Sequence, residues 1–149
     1  MQSALNVKPM VWQMCSDEIY YAWPQSDWER FMQTFYADII STFSVALDLK
    51  LTIYSGDDDS VCGQSGTQFW LNRWDGFTKA ADVDWEPWRD DGDQLGGYHS
   101  VYRMADNADF NALHFLTVRT AGHMVPTTEP QRALTVLKKY LYELENYYE

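Results

Sequence analysis

The sequence is short of basic residues, with 11 Lys and Arg against 22 Asp and Glu and a formal net charge of −11. Nucleic-acid-binding proteins neutralise phosphates with clustered Lys and Arg, so this shortage excludes that class. The chain also lacks an apolar run of about 20 residues, the length that a membrane-spanning helix needs. The acidic balance is typical of a solvated surface, because net charge governs solubility and partners, not the fold. It is also compatible with an acidic lumen.

The chain has only two Cys, and it contains no internal repeat or low-complexity stretch. Its 149 residues are 46% hydrophobic and include seven Trp, which indicates a folded protein and not a disordered one. A chain of this length can bury one core. We therefore expect residues 1–149 to form a single unit without an internal linker.

A third absence is the Gly-x-Ser-x-Gly motif, which presents the serine nucleophile of α/β-hydrolases. The nearest match, residues 63–66, has the wrong spacing. Two other segments, Ile53–Cys62 and Thr120–Pro126, nevertheless supply a carboxylate and then a histidine, the order in which an α/β-hydrolase supplies them. The sequence therefore predicts the C-terminal part of a hydrolase whose nucleophile lies on upstream sequence.

Apolar spacing predicts a first helix near Ser26, a strand at Leu51–Ser55 and a second helix near Ser65. The apolar face of the first helix comprises Trp28, Phe31, Phe35, Ile39, Phe43 and Leu47. The inner side of the second comprises Trp70, Leu71 and Trp74. The strand is a short β-branched run ended by Gly56, which suits a buried parallel strand.

Residues 75–96 hold seven of the 22 acidic residues, Pro87 and several Gly, so we expect a surface excursion there. Two strands follow, at Gly97–Arg103 and Leu113–Arg119. Thr128-Glu129-Pro130-Gln131 predicts a capping box and an early Pro at the start of the last helix. The predicted buried stripe of that helix is Leu134, Leu137, Leu141 and Leu144. The elements together predict an α/β fold, the C-terminal portion of a doubly wound sheet that is incomplete without its upstream part.

Asp59 and His123 each follow a predicted strand, where doubly wound sheets present catalytic groups. A histidine can accept the nucleophile's proton, while a carboxylate fixes its tautomer and stabilises the imidazolium. Spacing alone leaves the alternative open, since acidic loops are commonly solvated and single histidines commonly structural. The run Asp57–Asp59 lacks the alternating ligands and bidentate Glu of a calcium loop. We therefore predict neither a metal nor a cofactor.

Several segments, in order along nearly the whole chain, resemble the serine carboxypeptidase family. They are Ala4–Val7, Trp12-x-x-Cys15-Ser16-Asp17, Tyr54–Val61, Gly96-Gly97-Tyr98-x-x-x-Tyr102 and Ala121–Pro126. The resemblance implies an α/β-hydrolase that releases C-terminal residues from peptides at acidic pH. It assigns the catalytic acid to Asp59 and the base to His123. Asp57 matches the first Asp of the family's Gly-Asp-x-Asp motif, with a structural role in holding the turn through backbone N–H groups.

The resemblance also implies roles for both cysteines and for Met124. Cys62 and Met124 match positions in the branch that includes carboxypeptidase Y, where they line the pocket for the leaving residue. A flexible thioether suits hydrophobic leaving residues. Cys15 matches a cysteine that is disulfide-bonded to the upstream polypeptide. Two alternatives remain open: Cys62 as an inert buried thiol, and a bridge between Cys15 and Cys62.

The partner that the resemblance implies is the upstream part, or a second disulfide-linked chain, of the same enzyme, which carries the serine. The implied location is lysosomal, vacuolar or secreted, with a zymogen precursor. Relatives with the same triad include acyltransferases and hydroxynitrile lyases, so either reaction is an alternative. A non-catalytic relative with a binding or chaperoning role is another. Intact Asp59 and His123 favour the enzyme.

Overall fold

The structure is a computed structural model that describes residues 11, 13–24, 26, 32–47, 51–81, 83–104 and 113–142. The chain divides between residues 35 and 36 into two compact units. The first contains helix α1 (Asp17–Ala22), which begins after Ser16, whose hydroxyl accepts the Ile19 N–H. Helix α1 was not predicted, because none of its residues is buried and its sequence has no apolar face to reveal it.

Helix α2 (Met32–Leu47) begins in the first unit and ends in the second. The predicted start near Ser26, with Trp28 and Phe31, falls on residues 27–31, which lie outside the described residues. In the second unit, Ile40 is fully buried, whereas Phe43 of the predicted apolar face is exposed. The core-facing side of α2 is therefore rotated from the one that the aromatic residues indicate.

The remaining elements belong to the second unit. They are β1 (Leu51–Gly56), α3 (Gln64–Leu71), β2 (Phe77–Lys79), β3 (Glu86–Arg89), β4 (Leu95–Met104), β5 (Leu113–Val118), α4 (Val125–Thr128) and α5 (Pro130–Tyr142). The strands form one five-stranded sheet in the order β1-β5-β4-β2, with β3 also paired to β4. Among the described residues, β1 and β5 pair in parallel, and the other three strand pairs are antiparallel. This mixed sheet with helices is an α/β arrangement, as predicted.

The parallel pair β1–β5 brings the two predicted site loops together. Gly56 is in register with Val118, so both strands end at the same edge of the sheet. Phe115, Leu116 and Val118 are almost completely buried, which fits a mostly apolar strand that has a partner on each side. The predicted strands at 51–55 and 113–119 are confirmed to within one residue. The loops 57–63 and 119–124 therefore leave the sheet side by side.

The prediction of a surface excursion at residues 75–96 is wrong. This segment supplies β2 and β3, and it buries Ala80, Val83 and Trp88. The Trp88 indole N–H donates to the carbonyl oxygen of Thr117 at 2.9 Å, which ties β3 to β5. The sequence conceals this role because β3 buries one residue in four and its other residues face solvent. Helix α3 is confirmed, with Leu71 and the following Trp74 in the core.

The predicted buried stripe of α5 is also wrong where the structure describes it. Leu134 and Leu137 are 45% and 51% exposed, while Thr135 and Val136 are buried. The side chains of Leu141 and Leu144 lie outside the described residues. The predicted capping box is not formed, because Thr128 ends α4 and its hydroxyl accepts the Gly122 N–H at 3.1 Å.

The exposed leucines line a cavity of about 600 Å³, which we call the apolar groove. Its walls come from β1, the end of β5, and helices α4 and α5. They comprise Thr52, Tyr54, Val118, Val125, Pro126, Pro130, Ala133, Leu134, Val136 and Leu137. Spacing of leucines every three or four residues finds an apolar face, but it does not tell whether anything covers that face.

Candidate active site

Asp59 and His123 meet at the carboxyl ends of the parallel strands. The Asp59 Oδ2 and the His123 Nδ1 are 2.9 Å apart, a hydrogen-bonded distance. Asp59 stands in the loop after β1 and His123 in the loop after β5. The structure therefore brings together the two residues that the sequence predicts as acid and base, although 64 positions separate them.

The second oxygen of Asp59 fixes the carboxylate in its own loop. Its Oδ1 accepts the N–H groups of Val61 at 2.7 Å and Cys62 at 3.0 Å. The Asp59 side chain is only 5% exposed, whereas that of His123 is 53% exposed. The site therefore has a held carboxylate and an accessible imidazole ring.

The ionisation of Asp59 follows from these contacts. The hydrogen bond from His123, with further backbone N–H donation from Cys62 and Val61, holds the pKa of Asp59 below its usual value. An ionised carboxylate can only accept hydrogen bonds, so Nδ1 must carry the proton that it donates to Asp59. In the neutral ring, Nε2 is then the free acceptor for a second proton. This is the tautomer that a general base requires.

Asp57 connects the two loops through a different contact. Its Oδ1 accepts the backbone N–H of Thr120 at 2.6 Å. Asp57 therefore holds the loop that carries His123. The backbone adds two bonds, from Asp57 N–H to Val118 O and from Asp58 N–H to Ala121 O, both at 3.0 Å. The Asp58 side chain is exposed. Asp57 thus supports the geometry, and of the three consecutive aspartates only Asp59 contacts the histidine.

Thr120 is a site-supporting residue that sequence analysis missed. It has φ = +60°, a left-handed conformation that residues other than Gly rarely adopt. Such conformations persist only where surrounding contacts fix them, and they occur often at functional sites. The Asp57 carboxylate supplies one of those contacts. No local pattern marks a Thr for this conformation, so only the structure identifies it.

Cys62 and Met124 flank the Asp59–His123 pair in sequence, and both are exposed. Exposure of Cys62 contradicts the alternative of an inert buried thiol. Its backbone is fixed, because the Cys62 carbonyl also accepts the Ser55 hydroxyl at 3.3 Å. Cys15 is exposed as well, and both cysteines are free thiols.

Within the described ranges, no group of three or more His, Cys, Asp or Glu side chains could hold a metal ion. The same part of the chain has no helix that is both long and apolar enough to cross a membrane.

Comparison with known proteins gives a match to the family model for serine carboxypeptidase over residues 1–143. The chain is 35% identical over 133 residues to serine carboxypeptidase-like 22 of Arabidopsis thaliana, covering 89% of this chain and 25% of the relative. It is 36% identical over 130 residues to serine carboxypeptidase 24 of the same plant, covering 87% and 24%. Serine carboxypeptidase II-1 of Hordeum vulgare is 30% identical over 133 residues, covering 89% and 35%. The chain thus spans about a quarter to a third of the length of these relatives.

Proposed function

This chain belongs to the serine carboxypeptidase family, and on that basis we propose that it supplies the acid and the base of a Ser–His–Asp triad. The enzyme is a serine-type carboxypeptidase that releases C-terminal residues from peptides at acidic pH. The observation that carries the proposal is the 2.9 Å hydrogen bond between Asp59 and His123. The tautomer that this bond selects leaves Nε2 available to the nucleophile.

In the proposed mechanism, His123 Nε2 takes the proton of the serine hydroxyl as that oxygen attacks the substrate's terminal peptide carbonyl. Asp59 stabilises the imidazolium, and His123 then passes the proton to the departing amino group. A water molecule repeats the sequence on the acyl-enzyme, with His123 again as base. Activity at acidic pH requires an ionised Asp59, which the lowered pKa of its carboxyl favours.

The serine nucleophile and the oxyanion donors are proposed to lie on the upstream part of the same enzyme. Three observations support this: the chain lacks Gly-x-Ser-x-Gly, it spans a fraction of its relatives, and β1 pairs with no strand but β5 among the described residues. The free edge of β1 adjoins the apolar groove, so an added strand and its helix would cover both. Cys15 is proposed to form the disulfide to that part, in a secretory, vacuolar or lysosomal compartment.

Cys62 and Met124 are proposed to line the pocket for the leaving residue. Each lies close in sequence to a member of the pair, and both side chains are accessible. The Met124 thioether would favour large apolar leaving residues, because it adapts to their shape.

The test is a set of substitutions in the complete enzyme. His123→Ala and Asp59→Asn should each lower kcat by about 1,000-fold or more. The first change removes the group that accepts the serine proton, and the second removes the carboxylate that keeps the proton of His123 on Nδ1. Asp58→Asn is the matched control, because its exposed carboxylate is adjacent to Asp59 and does not contact the histidine. We expect it to leave kcat within about twofold.

The measurements are kcat and KM on a blocked dipeptide, with thermal unfolding to show that the variants are folded. Near-normal turnover in folded His123→Ala would contradict the proposal. Equal losses of kcat in the Asp58 and Asp59 variants would show that the assignment of the catalytic acid to Asp59 is off by one residue.

A further inference from the structure

We propose that Arg132 and Glu129 are positioning residues for His123, which they hold through the hydroxyl of Thr120. The inference rests on the proposed function, because it concerns how that acid–base pair is aligned. It assigns helix α5 and the residue before it, which carry no part of the pair itself, a role in turnover.

Arg132 donates to four groups on three segments of the chain. Its Nη1 donates to the Arg119 carbonyl at 3.0 Å, the Thr120 hydroxyl at 2.9 Å and the Glu129 Oε2 at 3.2 Å. Its Nε donates to the Asp90 Oδ2 at 3.3 Å. The planar guanidinium holds its N–H donors in a fixed fork, and the two N–H groups of Nη1 are shared among its three acceptors. Arg132 therefore joins α5 to the β3–β4 turn and to the turn that precedes His123.

Thr120 is the point at which these contacts reach the site. Its hydroxyl accepts from Arg132, and its single proton has two acceptors in reach, the Arg119 carbonyl at 2.6 Å and Glu129 Oε1 at 2.8 Å. Its N–H is held by Asp57, which lies in the same loop as Asp59. One residue with a left-handed backbone is thus fixed from the α5 side and from the acid loop, three positions before His123. Loss of either contact frees the backbone that carries the imidazole.

The side chains of Arg132, Asp90 and Glu129 are partly shielded from solvent, so the attraction between their charges is only partly screened. The side chains of Arg132, Asp90 and Glu129 are 18%, 15% and 27% exposed, and one cation lies between two carboxylates. Asp90 is itself anchored, since its Oδ1 accepts the N–H groups of Gly92 and Gln94. Removal of the guanidinium would take the shared cation away from two partly buried carboxylates.

The same helix provides a matched control. Lys138 forms an ion pair with Asp91 at 2.8 Å, so it also joins α5 to the β3–β4 turn. No contact leads from Lys138 to Thr120 or to either site loop among the hydrogen bonds of the described residues. A difference between Arg132 and Lys138 variants therefore isolates the contact to Thr120 from the general attachment of α5.

The experiment measures kcat, KM and melting temperature of the complete enzyme with Arg132→Met, Glu129→Gln or Lys138→Met. Arg132→Met should lower kcat by about 10- to 100-fold with KM within about threefold, because misplacing a catalytic group by 1 Å can cost about 100-fold. Glu129→Gln should lower it in the same direction but less. Lys138→Met should leave kcat within about twofold.

A double substitution separates positioning from loss of stability. In an Asp59→Asn background the imidazole has already lost its carboxylate partner. Adding Arg132→Met to that variant should therefore lower kcat by less than about a further threefold. A purely structural role would cost the same factor in both backgrounds, and that result would overturn the inference. Equal losses in Arg132→Met and Lys138→Met would also overturn it.

Thr120→Ala and Thr120→Ser provide the test if Arg132→Met does not fold. Thr120→Ala removes the shared hydroxyl and should lower kcat about tenfold, whereas Thr120→Ser restores the hydroxyl and should return kcat to within about threefold. Equal activity of the two variants would overturn the inference. An active His123→Ala enzyme would instead overturn the proposed function, so the two failures are distinguishable.

Discussion

Gly56 lies so close to the carbonyl oxygen of Ala121 that no side-chain carbon fits between them. A Cβ on Gly56 would also overlap the carbonyl of Gly122. This backbone contact brings the end of β1 against the loop that carries His123. The approach of the two loops therefore depends on a missing side chain as much as on the hydrogen bonds between them.

Gly56→Ala should accordingly destabilise the complete enzyme by about 1–3 kcal/mol, the cost of overpacking a site whose neighbours are backbone atoms. It should also lower kcat, because the loops must separate. Gly66→Ala is the control: it lies in α3, and its Cβ would meet no atom within 4 Å. That change should be neutral or stabilise the fold by up to about 1 kcal/mol. Urea unfolding of both variants measures the difference, and equal stabilities would refute the steric argument.

Cys62 should react with a small mercurial in the native enzyme, because its thiol is exposed. The adduct should block the proposed leaving-residue pocket and abolish peptidase activity, while Cys62→Ser should make the enzyme resistant to the reagent. Cys15 should react only after a reductant has released it from the upstream polypeptide. Mapping the modified cysteine and assaying peptidase activity in parallel shows whether modification of Cys62 accounts for the loss of activity. Full modification of Cys62 with retained activity would exclude it from the pocket.

Tyr102 should make stability depend on alkaline pH. Its ring is buried and its hydroxyl donates to Asn72 Oδ1 at 2.9 Å. Burial raises its pKa to about 12, from 10.0 in a solvated tyrosine. The folded state thus favours the neutral phenol, and the stability that this contributes is complete below pH 10 and is lost as pH rises toward 12.

The comparison of Tyr102→Phe with the parent enzyme tests this pH dependence. The variant should be about 1 kcal/mol less stable near pH 8, because one hydrogen bond is lost. That difference should shrink above pH 10, where only the parent enzyme has a Tyr102 to ionise. A difference that stays constant up to the point of alkaline unfolding would contradict the prediction.

The chain expressed alone should bind a hydrophobic dye and should not react with a fluorophosphonate probe. Dye binding is expected because Leu134, Leu137 and Tyr54 of the apolar groove are about half exposed. Leu137→Gln should reduce it, and Gln131→Ala, on the exposed part of the same helix, should not. Stoichiometric labelling by the probe would place a nucleophile on this chain, contrary to the proposal.

The sequence predicted the parts of this fold that are encoded locally. β1 and β5 are short strands rich in apolar and β-branched residues, and each site loop begins directly after its strand. The family resemblance is likewise confirmed, because its motifs are contiguous segments. The pairing of Asp59 with His123 was predicted in two ways: by the rule that catalytic groups follow the strands of such a sheet, and by the family resemblance, which assigns these two residues as acid and base.

What the sequence concealed depends on contacts between distant segments. Trp88 is flanked by Pro87 and Arg89 in an acidic stretch, and its burial comes from packing against residues of β5, α4 and α5 that are distant in sequence. Arg132 and Glu129 lie near the start of a predicted helix, where charged residues are common. No local sequence pattern therefore indicates their contacts to Thr120. The exposure of Leu137 could not be predicted from its neighbours in sequence either, because it depends on whether another segment packs against that face of α5.

The parallel pairing of β1 with β5 has a consequence for the order of folding. Helix α3 and the antiparallel strands lie between the two partners in sequence, so this pairing closes a long loop. Closing such a loop costs more chain entropy than forming the β3–β4 hairpin inside it. Sheets dominated by distant pairings form slowly for the same reason. We therefore expect the acid to meet the base late in folding, after most of the local structure of the chain has formed.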